Sequence, residues 1–262
     1  MSHFKKYIVI LLAAFFITGT VFLFAAKNNP PLPPEIIHTP ISDTTTSAEK
    51  ENPQTNEPTK VPKAQPTEKN PAELPQEINL KIPFTSQAPH QNWDMPYQEF
   101  CEEASMLMAA SYAKGQKISS PEDADKKLKA LQKFEMDRFG FYQDTTAEET
   151  AIILREYFNL RNTTVVYNPS AMDIKSALTK NKAIILPFAG QQLGNPNFRQ
   201  PGPLYHMLVI KGYTKNGDFI TNDPGTKKGA DYIYKQDIIM NAIHDWNNGD
   251  VDTGKKVMIV ID

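Results

Sequence analysis

The chain of 262 residues has a single cysteine, Cys101, so it can form no internal disulfide. It has no His-Glu-x-x-His stretch, no cysteine pair and no histidines at zinc-ligand spacing, which removes the common zinc sites. Glycine is sparse, at 12 residues, and none of it forms a Gly-rich phosphate loop. Neither sign of charge dominates: 28 Lys and Arg face 30 Asp and Glu, for a net charge of −2. Basic residues are scattered apart from short pairs such as Lys126-Lys127 and Lys227-Lys228, which excludes a general nucleic-acid binder. Phe, Trp and Tyr are absent between Asn28 and Gln76, where 11 of the 21 prolines fall.

These gaps divide the chain. Residues 1–6 end in Lys5-Lys6, and Tyr7–Ala26 follows as twenty residues without a charge. At about 1.5 Å per residue that run just crosses a ~30 Å hydrocarbon core. The two lysines favour a cytoplasmic N-terminus and export of the rest. A cleavable signal peptide is the competing reading, but Leu23 and Phe24 make Ala25-Ala26 a poor cleavage site. Either way, the rest of the chain is expected outside the cytoplasm. Residues 27–76, rich in Pro, Thr, Glu, Asn and Lys, cannot bury enough apolar area to offset ordering entropy and read as a disordered linker. The folded domain is expected over 77–262, a length able to bury roughly 70% of its unfolded surface.

Within that domain, Ile82-Pro83-Phe84 reads as a short strand or extended entry, and residues 102–114 as a largely buried helix stopped by Gly115. Ser120-Pro121-Glu122 caps a second helix, and Thr146 with Glu149 has capping-box spacing before a third. Ser170 caps another helix through Leu178. Strands are expected at Thr163–Tyr167, Ala183–Phe188, His206–Tyr213, Asp218–Thr221 and Lys256–Ile261, with Thr214–Gly217 closing a hairpin. Helices come first and strands gather later, which predicts an α+β domain with an antiparallel sheet packed against a Cys-bearing helix.

A lone cysteine is unusual in an exported chain, and Cys101 opens a predicted helix, where unsatisfied N–H groups and the helix dipole favour a thiolate. The bland alternatives are a small buried residue filling a helix–sheet contact, or an intermolecular disulfide. A thiolate nucleophile needs a base. Of the five histidines, His3 precedes the apolar run, His38 is in the linker, His90 lies in the loop before Cys101, and His244 falls in a C-terminal helix. His206 opens the strand MLVI, a rigid element able to aim its imidazole at a helix N-terminus; the bland alternative is a half-buried polar residue at a strand start. Asp223, in Asn222-Asp223-Pro224-Gly225, is turn chemistry taken alone. The hairpin, however, brings the end of its second strand beside the start of its first, so Asp223 can orient the His206 ring.

The stretches IPFTSQAPHQNWDMPYQEFCEEASMLMA, YHMLVIKGY and FITNDPG together resemble the C39-like peptidases of the papain-like superfamily, across nearly all of residues 79–225. The resemblance implies a papain-like fold and a cysteine peptidase, with Cys101 as nucleophile, His206 as base and Asp223 as its orienter. It also implies that Gln87 and the Cys101 N–H donate to the oxyanion, with Gln98 a rival because Gln87 lies fourteen residues before Cys101. The chain departs from the pattern in carrying Glu102-Glu103 where many members have Gly after the Cys. A carboxylate beside a thiolate opposes its ionisation, so both acids are expected to point away or to contact substrate. Trp93, Glu102 and Tyr205 are the candidate substrate contacts, and the polar loop 189–203 before His206 is a candidate cleft rim.

The expected partners are a peptide or protein substrate and, through Tyr7–Ala26, the membrane. No cofactor, metal or nucleic acid is expected, and no residue pattern speaks to oligomeric state. Two rivals stand beside the peptidase: an amidase or transferase acting on cell-wall peptides through the same triad, and a non-catalytic binding module of the same fold.

Overall fold

The structure, a computed structural model, describes residues 74–262, all within a compact unit that begins at Asn70. The proposed cytoplasmic N-terminus, the membrane segment Tyr7–Ala26 and nearly all of the linker lie outside the described residues. No helix among the described residues is long and apolar enough to cross a membrane.

Seven antiparallel strands form one sheet: β1 (Ile78–Asn79), β2 (Thr164–Tyr167), β3 (Ala183–Ala189), β4 (Tyr205–Tyr213), β5 (Phe219–Asn222), β6 (Tyr232–Tyr234) and β7 (Val257–Ile261). The order is β2-β7-β3-β4-β5-β6, with β1 also paired to β4. Five helices accompany it: α1 (Cys101–Ala113), α2 (Pro121–Phe139), α3 (Ala147–Glu156), α4 (Ala171–Thr179) and α5 (Gln236–Ala242). The architecture is the expected α+β one, with the Cys-bearing helix α1 packed on β3 and β4.

The local chemistry explains the boundaries. Ser120 accepts from the Asp123 N–H at the start of α2, with Pro121 in the first position, where its missing N–H costs nothing. Reciprocal capping boxes join Thr146 to Glu149 at α3 and Ser170 to Asp173 at α4. Strands β3 and β4 are buried along their whole length, which is why they read as apolar runs rather than as alternating patterns. The β4–β5 ladder shifts register between Ile210 and Gly212. A Cβ at Gly212 would lie 2.0 Å from the Ile78 carbonyl oxygen, so only glycine lets β1 lie against β4 there.

Two expectations shift. The paired entry strand is Ile78–Asn79, while Ile82–Phe84 runs extended but unpaired, since Pro83 has no N–H to give a ladder. His244 is not in a helix: α5 ends at Ala242, and the His244 N–H donates to the Pro187 carbonyl beside β3 (3.1 Å). Strand β6 and helix α5 carry too little periodicity to be read in advance.

Candidate active site

Cys101 is the first residue of α1, behind Phe100, whose side chain makes no cap. The first-turn N–H groups of Glu102 and Glu103 go to their own carboxyls, and the backbone donor that meets the sulfur is Met207 of β4. Cys101 is an unpaired thiol and is buried. His206 is the second residue of β4, paired across the ladder with Phe188 of β3. Both residues line one cleft of about 1050 Å³.

Asp223 reaches the same place by a turn rather than by the ladder. The β4–β5 pairing ends at Val209 and Asn222. The chain then bends through Pro224 and Gly225, and the Asp223 carboxylate comes back to the ring, Oδ1 to His206 Nε2 at 2.8 Å. Both side chains are essentially sealed from solvent, at 1% and 0% exposure. The Gly225 N–H donates to Oδ1 at 2.9 Å. Oδ2 accepts from the Tyr234 hydroxyl at 2.6 Å and from Asn195 Nδ2 at 3.1 Å. Burial alone would push the Asp223 carboxyl up, but the His206 charge and these donors outweigh it and hold the group below its ordinary range. The same contacts push the Tyr234 hydroxyl up, burial first and then the Asp223 charge.

The turn also needs its glycine. A Cβ on Gly225 would stand 2.8 Å from His206 Cε1 and 2.9 Å from Phe198 Cε1. Phe198 meets the His206 ring edge to face at 5.2 Å, so the imidazole is held between loop and turn.

The two acids after Cys101 part company, although both line up in the first turn of α1. Glu102 does not turn away from the thiol: its Oε2 accepts from Cys101 Sγ at 2.9 Å, and its Oε1 accepts from the Thr145 N–H at 3.2 Å. Burial, with Asp144 and Glu99 nearby, pushes the Glu102 carboxyl up to about 8. The thiol is likewise pushed well up, by burial first and by the Glu102 charge second. The helix N-terminus therefore does not by itself hold a thiolate in this state. Glu103 points the other way, into the α1–α2 contact, against Glu135.

The remaining expected residues gather around the same cleft. Gln87 is buried in its wall, and its backbone N–H donates to the Pro224 carbonyl at 3.0 Å. Its two amide hydrogens go to the carbonyls of Tyr97 (3.0 Å) and Gln98 (2.9 Å), while Oε1 is buried without a partner. Gln98 also lines the cleft, but is exposed and donates to the Met95 sulfur. Trp93 stands at the rim, 38% exposed. Tyr205 is buried in the wall, its one hydroxyl proton shared between the Thr145 carbonyl (3.0 Å) and Asp245 Oδ1 (3.2 Å). His90 is not among the cleft residues. Among the described residues, no group of three or more His, Cys, Asp or Glu could hold a metal ion.

Cys101, His206 and Asp223 thus stand in the order and in the element positions of the resemblance, and the match to known families covers them: residues 79–249 match the Peptidase_C39 like family. The chain belongs to this family. Among solved structures, a Bacillus anthracis protein assigned to the C39-like peptidases is 13% identical, at a TM-score of 0.48, covering 71% of this chain and 98% of its own. A fragment of Prevotella intermedia prointerpain A is 14% identical, with a TM-score of 0.46 and coverage of 72% and 73%. The active wild-type Prevotella intermedia interpain A cysteine protease is 15% identical, with a TM-score of 0.44 and coverage of 73% and 96%. No curated protein matches the chain.

For this C39-like chain, residue patterns missed Asn195, Phe198 and Tyr234. Asn195 and Phe198 belong to the loop picked out as a cleft rim, so their region was marked but their roles were not. Tyr234 sits on the three-residue β6, which left no pattern to find.

Proposed function

We propose that this chain is a cysteine peptidase, held outside the cytoplasm by its N-terminal apolar segment, that cleaves peptide or isopeptide bonds. The observation that carries the reading is the sealed His206–Asp223 hydrogen bond of 2.8 Å opening into the cleft that holds Cys101. With Nε2 committed to the carboxylate, Nδ1 is the ring nitrogen left to exchange a proton with the thiol. Cys101 Sγ, after giving its proton to His206, attacks the substrate carbonyl carbon, and the carbonyl oxygen becomes an oxyanion. His206 returns the proton to the leaving amine as the C–N bond breaks, leaving a thioester that water then hydrolyses with His206 as base.

The Cys101 N–H is one oxyanion donor, and Gln87 supplies the second once one of its amide hydrogens leaves a backbone carbonyl. Trp93 at the rim offers an apolar face to substrate, while Glu102 and Tyr205 shape the wall behind the sulfur. The full chain should hydrolyse a mixed peptide library, with turnover abolished in Cys101→Ala and His206→Ala and strongly reduced in Asp223→Asn. Release of muropeptides from purified cell wall, with the library untouched, would move the assignment to the amidase or transferase. A ligand retained without turnover by wild type and Cys101→Ala alike would reject catalysis.

A further inference from the structure

Glu102 stands where many C39-like members have Gly after the Cys, and its two oxygens have different partners. Oε1 faces the Thr145 N–H, which can only donate. That N–H is fixed in direction: the Thr145 carbonyl accepts from Tyr205 at 3.0 Å, Thr145 Oγ1 meets Thr150 Oγ1 at 3.2 Å, and Thr146 caps α3. Oε1 must therefore stay an acceptor. A proton on Glu102 meets an acceptor only from Oε2, the oxygen 2.9 Å from Cys101 Sγ, while the carboxyl also takes its own backbone N–H. The carboxyl group can face the sulfur in two ways, as an acceptor when ionised and as a donor when neutral.

From this geometry we infer that Glu102 is a positioning residue that sets the state of the nucleophile: as a neutral acid it donates from Oε2 to the Cys101 sulfur and supports the thiolate, and as a carboxylate it takes the thiol's hydrogen bond and holds the site off. The inference rests on the reading of Cys101 as nucleophile and adds a regulator to it. Only a proton is exchanged with solvent. Neutral Glu102 loses the Oε2 proton to water or hydroxide, and the thiolate, now facing a carboxylate, takes the proton held on His206.

The surroundings set the pH of the change. The titratable groups facing Glu102 are Cys101 and Glu103 on its own helix, Glu99 before it, Asp144 on the loop to α3, Tyr205 on β4 and Glu135 on α2. Four of these six are acids, and the site is buried, so the neutral form persists to about pH 8. Peptidase activity is therefore expected at neutral pH and to be switched off under mild alkali, the reverse of an ordinary thiol.

Because Cys101 is the chain's one cysteine, iodoacetamide reads it alone. In the full-length protein the alkylation rate should be high near neutral pH and then fall above about pH 8, by up to about tenfold per pH unit. Glu102→Gln keeps an acceptor for Thr145 and a permanent donor for the sulfur, so the falling limb should vanish. Glu102→Ala, which removes the donor, should lower the neutral rate. A falling limb unchanged in Glu102→Gln overturns the inference. Should Glu102→Gln melt below assay temperature, thiolate ultraviolet absorbance of the wild type decides: a dip between about pH 7 and 9 supports the switch, and a steady rise overturns it. His206→Ala tests the underlying reading separately. If that variant alkylates like the wild type at every pH, the nucleophile assignment fails, whatever Glu102 does.

Discussion

At the scale of single residues, Asp223 shows how much of a buried carboxylate's behaviour belongs to its neighbours. The buried carboxylate is fixed by the Gly225 N–H, the Tyr234 hydroxyl and Asn195 as well as by His206. Tyr234 also accepts from Asn195 Nδ2 at 2.7 Å, so removing its oxygen loosens two partners at once. Tyr234→Phe should leave the fold intact and lower kcat by about tenfold with KM little changed, since a hydrogen bond to a charged group is worth about 1.5–3 kcal/mol. Steady-state kinetics checks this, and an unaltered kcat would remove Tyr234 from the positioning network. Cys101, His206 and Asp223 were legible in the sequence because each has a distinctive local setting: the one cysteine opening a helix, a histidine opening an apolar strand, an aspartate before Pro-Gly. Glu102 was legible as an oddity but not in its orientation. Whether a buried carboxyl turns toward a sulfur or away is decided by a partner forty-three residues on, the Thr145 N–H.

At the scale of elements, α1 and α2 meet through a contact that hydrophobic patterning does not announce. On α2 the buried stripe runs Ala124, Leu128, Leu131 and then Glu135, a carboxyl in an apolar position. It faces Glu103 of α1, and both side chains are fully buried. Burial first, and their mutual repulsion with Glu102 second, push Glu103 well up, and burial pushes Glu135 up to about 9. Unfolded, each would release its proton near the ordinary value of 4.5. The folded state thus binds more protons across that window, so stability is greatest at its acid end and falls as pH rises toward 9. Melting temperature should decline from neutral pH into alkali, and Glu135→Gln should flatten the decline. A melting curve equally steep in that variant would assign the loss to other groups. Elements with their own punctuation were readable: Ser120-Pro121, the Thr146–Glu149 box and Ser170 each mark a helix start that the structure keeps. Strand β6 and helix α5, three and seven residues long, are too short for a period to emerge and take their form from packing.

At the scale of the molecule, the α+β class and the hairpin that carries His206 could be read from the order of segments. The insertion of the last strand, β7, between β2 and β3 could not, because such pairing joins residues 74 to 96 apart and leaves no local trace. The proposed membrane segment makes a separate, checkable claim. Full-length protein should sediment with membranes and stay there in high salt, its domain open to protease added outside the cell, while a chain lacking residues 7–26 should remain in the cytoplasm. Recovery of the intact chain in a soluble fraction would replace the anchor by a cleaved signal or by neither.

The short strand β1 has a mechanical meaning. Chain arriving at Pro75 is stitched at once to the strand that bears His206: Pro75 accepts from the Tyr213 hydroxyl, and Ile78 and Asn79 pair with Tyr213 and Gly212. These contacts engage the end of β4 farthest from His206. Tension applied from the N-terminal side would be borne first by two residue pairs and one phenol, against a nine-residue strand held by neighbours on both sides. Such a joint yields before the strand behind it moves, so a pull on the chain before Pro75 reaches the His206 hairpin only after β1 has let go.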